Sequence, residues 1–597
     1  MNQRSKKEIL IDICAKDTSR TNFLLSVFIN FIILLVFMYL TNLKYGTNDD
    51  FALSQAVVQR GYFFFTYTNY FLNAFVAFVQ EITPFWNAWV GCQLAFSFLS
   101  FVVITFIFLE KTKESAYIRI LGICIVLIFA YNHYTVFQFT QTASLLMVTG
   151  LVAMVQGAIH SSGQKMLILG GALFCIGTWY RNSGVYVPLG FAAIFALFFI
   201  IVHRKQFSFD LFKNRSVQIK IAILISVFLV MGISDNLSTK ISMSTDDLRV
   251  YSEYNSARAR FMDYPKPDYA ENVEFFQALG ISENDYNLMR SWILDSDTVA
   301  SLENLKQINQ VQQSLNRNLP DIPSSIHRFF SDTKHSILNL DMRGIDTIFL
   351  LIIAAMIMIL TRFRYWSFFI LFAVTYVLSY LYLYYIGRTP FRATYIIDLS
   401  AVIWCAYSIR SIHNRPYFNK ERNKNSKTLI PKLAAIAILS ASIFVIAISG
   451  HLKPTPVAND VDIANSDQLM SYISSHPDIT FMSSSGVNAT YRLGQYYYIN
   501  PLAPIPKGFQ DNIFSFGGWT MMSPYQKERL ATRNLTNLFG DIVDNEHIYV
   551  IETDDMQRQR EELFFNEHYA LIDKTIYFES VEQVGIFSLW KIKATIE

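Results

Sequence analysis

Apolar runs about as long as a bilayer is thick recur down this chain, and no other feature narrows its fold as far. They lie near 22–43, 85–109, 118–132, 136–159, 166–180, 185–202, 219–234, 346–361, 365–386, 393–409 and 429–449. A helix rises about 1.5 Å per residue, so roughly 20 residues cross ~30 Å of hydrocarbon. About eleven membrane helices are therefore expected. Composition agrees: of 597 residues, 52% are hydrophobic and only 16% charged, too little charge for a soluble protein. A net charge of +3 gives no reason to invoke nucleic acid. Cys14 lies in the N-terminal tail, and Cys92, Cys124, Cys175 and Cys405 lie in apolar runs. Neither a disulfide framework nor a cysteine metal site is expected from that placement. The first run has a long polar lead and no small-residue cleavage site after it, so it reads as a retained helix.

Positive charge orients the helices. Arg4, Lys6, Lys7, Lys16 and Arg20 precede the first run; Lys111 and Lys113 follow the second. Arg204, Lys205, Lys213 and Arg215 fill the 203–218 connection, and Arg410, Arg415, Lys420, Arg422, Lys424 and Lys427 the 410–428 connection. With eleven spans all of these fall on one face, which the positive-inside rule makes cytoplasmic. The expected organisation is an N-terminal membrane module, 1–234, with an outward first loop, 44–84; an outward helical insert, 235–345; further membrane helices, 346–449; and an outward α/β domain, 450–597. In the insert, 271–279 is amphipathic and ends at Gly280, after which Ser282 and Asp285 have capping-box spacing. In the C-terminal domain 478–482, 547–551 and 585–592 read as strands and 557–567 as a helix.

Chemistry concentrates in the first outward loop. Gly46-Thr47-Asn48-Asp49-Asp50-Phe51 places two adjacent carboxylates on the lip of a membrane span, where ionised groups are costly to hold. The stretch 51–59 reads as a surface-lying helix behind them. One carboxylate is positioned to accept a proton from a hydroxyl as general base; the competing role is a helix N-cap formed by Asn48 or Asp49. Short outward loops usually lack positive charge, yet Arg181 lies in one, and Arg388 and Arg392 in another. Guanidinium forks suit phosphate oxygens, and lipid head groups or loop acids are the alternative partners. Asp398, inside the tenth run, reads as the counter-ion of Arg392 or a second acid. Arg258, Arg260 and Asp263 read as substrate contacts or a solvated helix end. Trp519, after Gly517-Gly518, reads as a sugar-stacking ring or a packed aromatic. The histidines show no metal spacing, and no phosphate-cradling glycine loop is present.

This layout resembles the GT-C superfamily of integral-membrane glycosyltransferases, in which an acidic pair sits in the first outer loop. Asn48-Asp49-Asp50-Phe51 falls where that motif belongs, and Arg181-Asn182-Ser183-Gly184 is similar to an Arg-x-x-Gly element of bacterial members. The resemblance implies a multi-pass enzyme of the bacterial plasma membrane. It would move a sugar from a polyprenyl-phosphate carrier to an extracytoplasmic cell-wall polysaccharide or teichoic acid, with Asp49 or Asp50 as base. Arg181, Arg388 and Arg392 are assigned to the donor phosphate on charge alone. No cofactor is required; some members use a divalent cation such as Mg or Mn, which the acid pair would ligate through oxygen. The competing classes are a transporter or flippase of lipid-linked glycan and a non-catalytic protein that binds wall polymer.

Overall fold

The computed structural model describes residues 6–59, 61–65, 67–110, 116–160, 163–203, 214–314, 321–361, 366–413, 460–484, 487, 500–505 and 511–596. The expected run 429–449 lies outside these residues, as do Lys111, Lys113, Arg204, Lys205, Lys213 and the basic residues of 415–427.

The membrane module begins with α1 (Lys6–Leu40), β1 (Lys44–Tyr45) and a short α2 (Asn48–Leu53) that runs into a π-helical turn, Ser54–Gln59. Then follow α3 (Tyr70–Ile82), α4 (Ala88–Leu109), α5 (Ala116–Tyr134), β2 (Val136–Phe137), α6 (Phe139–Ile159), α7 (Gln164–Tyr180), α8 (Tyr186–His203) and α9 (Arg215–Ser242). After the insert come α15 (Met342–Thr361), α16 (Trp366–Tyr385) and α17 (Phe391–His413). The first ten expected runs each coincide with one of these helices. Among the described residues six helices are long and apolar enough to cross a membrane. Their outward faces carry large exposed apolar residues, such as Leu24, Phe28, Phe228, Leu229, Ile370 and Leu378, the inverse of a soluble protein and the arrangement lipid requires. α6 and α7 touch backbone to backbone: a Cβ on Gly150 would lie 2.6 Å from the Gly170 carbonyl. Small residues permit that approach where hydrophobic burial against lipid gives no driving force.

α9 extends past the expected boundary into the polar insert, formed by α10 (Asp246–Asp263), α11 (Val273–Ala278), α12 (Glu283–Arg290), α13 (Leu302–Ser314) and α14 (Ile322–Asn339). Gly280 has positive φ, and Ser282 and Asp285 form the reciprocal capping box at the start of α12. The C-terminal domain contains α18 (Asp460–Ser475), β3 (Thr480–Ser483), β4 (Ile513–Ser515), α19 (Pro524–Ala531), β5 (Ile548–Glu552), α20 (Asp555–His568), β6 (Lys574–Val584) and β7 (Phe587–Ile596). Its sheet has the order β4-β3-β5-β7-β6, parallel among β4, β3 and β5 and antiparallel thereafter. Insert and domain share one apolar core: Tyr254, Phe261, Phe276 and Leu294 pack in the same cluster as Phe514, Phe539, Phe564 and Ile592. α18 covers the opposite face of the sheet through Leu469 and Ile473.

The first loop differs from expectation in one respect. The stretch 51–59 does not lie on the surface: Phe51, Leu53, Ala56 and Val57 are buried in the core of the membrane module. Its apolar residues have no period that leaves a polar face, so residues 51–57 sink into the bundle.

Candidate functional site

Two short strands fix the acid pair. β1 pairs in parallel with β2, matching Lys44 with Val136 and Tyr45 with Phe137, and the Gly46 amide donates to the Phe137 carbonyl at 2.7 Å. The next residues are thereby held against the N-terminus of α6. Thr47 occupies the N-cap position of α2, with Asp49 and Asp50 in its first turn, so neither Asn48 nor Asp49 is the cap.

The two acids then diverge. Asp50 is fully buried. It accepts from the Phe139 amide at 2.9 Å, Gln93 Nε2 at 3.3 Å and Thr47 Oγ1 at 3.0 Å. It therefore caps the positive end of α6. Burial outweighs those donors and raises its pKa from 3.8 to about 7. Asp49 is partly exposed, and its Oδ2 accepts from Arg392 Nη1 at 3.0 Å. Asn48 is exposed beside it.

Arg392 and Arg388 belong to the segment that enters α17. Arg388 Nη2 pairs with Asp263 Oδ2 at 2.7 Å, and its guanidinium lies over the Tyr264 ring, which ties the insert to the membrane module. Arg181 follows α7; it donates from Nε to Ser183 Oγ at 3.1 Å and lies 5.8 Å from the centre of the Tyr67 ring. Burial lowers the Arg181 pKa, and the neighbouring charges of Arg392 and Arg388 lower it further. Three arginines from two loops thus converge, faced by two carboxylates, Asp49 and Asp263. That leaves a net positive cluster around Asp49, the electrostatics of an anion site.

The other expected contacts resolve differently. Arg258 is not at a solvated helix end. It is buried, donates to Asn255 Oδ1 at 3.0 and 2.7 Å, and lies over the Trp292 ring. Arg260 lies 6.0 Å from the Tyr264 ring centre. Asp398 is neither the counter-ion of Arg392 nor a member of the cluster: it is buried in the bundle and accepts from Tyr376 and Tyr380 hydroxyls at 2.7 Å each. The helical spacing from Arg392 to Asp398 turns the two side chains to different faces of α17. Trp519 packs edge-on against Tyr67 and Phe65, so its ring closes the seam between the C-terminal domain and the membrane module.

Both Asp50 oxygens already accept protein hydrogen bonds, and Asp49 faces a guanidinium. Among the described residues one group has metal-ligand spacing, and it lies away from the acid pair. Asp285, Glu567 and His568 place ligand atoms within 4.8 Å of one another. The capping box and an ion pair from His568 Nε2 to Asp285 Oδ1 at 3.0 Å account for that cluster.

Solved structures similar to this chain include two of one protein. ArnT from Cupriavidus metallidurans in the apo state is 9% identical, with 94% of this chain and 97% of that one covered at a TM-score of 0.47. The same protein bound to undecaprenyl phosphate is 9% identical, with 95% and 97% covered at a TM-score of 0.42. No family model and no curated protein matches the chain.

Sequence reasoning missed Tyr67. Its ring stacks on Phe139, its hydroxyl is buried without a hydrogen-bond partner, and burial raises its pKa well above 10, with the Asp49 charge adding to the effect. A neutral phenol with a free O–H beside Asp49 and Arg181 is a donor waiting for an acceptor. The aromatic run 62–70 contains it, but nothing in that run separates Tyr67 from its packed neighbours.

Proposed function

We propose that the chain is a membrane-embedded glycosyltransferase that takes sugar from a polyprenyl-phosphate carrier and transfers it to an acceptor hydroxyl outside the cell. The observation that carries this reading is the pairing of Asp49 with Arg392 beside Arg181 and Arg388. An arriving donor phosphate competes for the guanidinium forks and releases Asp49 from Arg392. The freed carboxylate accepts the proton of the attacking hydroxyl while the arginines and the Tyr67 O–H stabilise charge on the departing phosphate. The bond broken is sugar C1 to phosphate oxygen, and the bond formed is C1 to acceptor oxygen. Asp50 serves as a positioning residue that locks the loop to α6. The carrier's apolar tail belongs in the bilayer, which explains why such a site stands at the rim of a helical bundle.

The rest of the reading follows from the charge pattern and the resemblance. About eleven spans place the N-terminus in the cytoplasm and the insert and C-terminal domain outside a bacterial plasma membrane. The acceptor is a cell-wall polysaccharide or teichoic acid. Chemistry at Asp49 requires no metal. A flippase is the second reading, favoured by the buried charges Asp398, Asp346 and Arg410 inside the bundle. One assay separates them: membranes carrying wild type or Asp49→Asn, at equal expression, receive radiolabelled polyprenyl-phosphate sugar. Loss of label in polymer with the carrier still charged supports transfer; assembled glycan stranded on the inner face supports the flippase.

A further inference from the structure

A second site lies on the far side of the turn that carries Arg392. A cavity of about 340 Å³ is lined by Asp332, Asp341, Arg343, Tyr384, Thr389 and Phe391, among others, within the size range of small-ligand sites. The polar wall is built. Arg343 donates to the Tyr384 hydroxyl at 2.7 Å and to Thr333 Oγ1 at 2.8 Å, with its guanidinium 4.5 Å from the Tyr380 ring centre. Its Nε is buried without a partner, and among the described residues no carboxylate lies at ion-pair distance from it. Tyr384 in turn donates to Asp332 Oδ2 at 2.6 Å, and Asp341 Oδ1 accepts from the Gly344 amide at 2.9 Å.

Charge decides what such a wall accepts. A bare phosphate would meet two carboxylates for one guanidinium, and a bare cation would meet the guanidinium. A lipid tail would desolvate these groups and offer their remaining donor and acceptor capacity no partner. A neutral ring bearing hydroxyls satisfies both signs: its O–H groups donate to Asp332 and Asp341, and its oxygens accept from Arg343. Phe391 and Met342 supply apolar contact for the C–H face of the ring. We propose that this cavity is a sugar-binding subsite. Phe391 and Thr394 line it while Arg392, between them on the same turn, pairs with Asp49, so an occupant presses on the turn that sets the acid–arginine pair. Whether the ring belongs to donor or acceptor depends on the transferase reading; binding itself does not.

The test is saturation-transfer NMR of the full chain in lipid nanodiscs with methyl glycosides of glucose, galactose and N-acetylglucosamine. Thr389 is exposed at the cavity, so Thr389→Trp fills it without touching the core. Thr389→Trp is expected to abolish the saturation signal. Asp332→Asn is expected to weaken binding about tenfold, one hydrogen bond to a charged group. Binding is read without transfer taking place, which separates this site from failure of the proposed transfer. Repetition with polyprenyl-phosphate sugar bound assigns the ring to the donor if the glycoside is displaced and to the acceptor if it is retained. No signal from any glycoside, or equal signal in wild type and Thr389→Trp with melting unchanged, would overturn the proposal.

Discussion

Asp49 and Asp50 are adjacent in sequence yet answer to opposite environments. Asp49 is partly exposed against a guanidinium, and Asp50 is sealed under α6. Their substitutions should therefore separate activity from stability. Asp49→Asn is expected to lower the transfer rate by about 10²–10⁴, the usual worth of a positioned general base, with melting unchanged; labelled-sugar transfer alongside a thermal melt checks both. Asp50→Asn is expected to cost about 1–3 kcal/mol of stability, because an amide cannot accept from the Phe139 amide, Gln93 and Thr47 together. The pH dependence of the two proteins should also differ. The Asp50 carboxyl holds its proton more tightly when folded, with a pKa near 7 against 3.8 for the free group. Its contribution is fully present below about pH 4, fades as pH rises, and is gone above about pH 7. Wild-type stability should lose this increment across that window and Asp50→Asn should not; denaturation midpoints at pH 4, 5.5 and 7.5 decide it.

Elements with a strong local signal were legible, and those fixed by tertiary contact were not. The ten apolar runs, the Ser282 capping box and the strands around residues 480, 549 and 589 follow from hydrophobic length, cap chemistry and alternation. Strand β4 is too short to show a period, and β6 mixes Glu579, Glu582 and Gln583 into an edge strand that reads as loop. Within the site, charge alone pointed to the three arginines, because a cation in a short outward loop is anomalous wherever the fold puts it. Asp398 and the 51–59 turn were misread because burial depends on which helix face meets a neighbour. The seam between insert and C-terminal domain was invisible for the same reason. There Trp292 adopts φ of 67°, and a Cβ on Gly517 would come within 1.8 Å of its carbonyl oxygen. The adjacent Leu294 amide donates to the Phe516 carbonyl at 3.0 Å. Gly517→Ala must therefore push two backbones apart. A cost of about 1–3 kcal/mol is expected, confined to the polar half of the molecule. Hydrogen exchange should show lost protection at residues 292–294 and 514–517 and native protection in α6 and α7.

On the scale of the whole molecule, the chain leaves the membrane module at α9, builds the insert, returns through α15 to α17, and only then makes the C-terminal sheet. From α10 to α13 the insert nevertheless has no core of its own among the described residues, since its buried rings and aliphatic side chains interleave with those of the sheet domain, while Phe329 of α14 packs into the membrane module. Further polar contacts cross the same seam: Ser282 donates to Glu567 Oε2 at 3.0 Å, Asn284 to the Arg560 carbonyl at 2.9 Å, and Lys527 pairs with Asp247 at 2.6 Å. A helical segment that buries apolar surface only against a distant partner cannot offset its conformational entropy alone. The membrane module has its own core and does not depend on that partner in the same way. Ending the chain at residue 450 should therefore leave the bundle folded and membrane-inserted while α10 to α13 of the insert lose their structure. Limited trypsin digestion of the truncated protein in nanodiscs should cut within 246–314 at least about tenfold faster than in the full chain, with bundle fragments intact. Equal cutting rates would mean that the insert folds without the sheet. Asp263 would then hold Arg388 whether or not the C-terminal domain is present, and that domain would be an independent binding module. Unequal rates would make the domain the element that sets the arginine cluster in place.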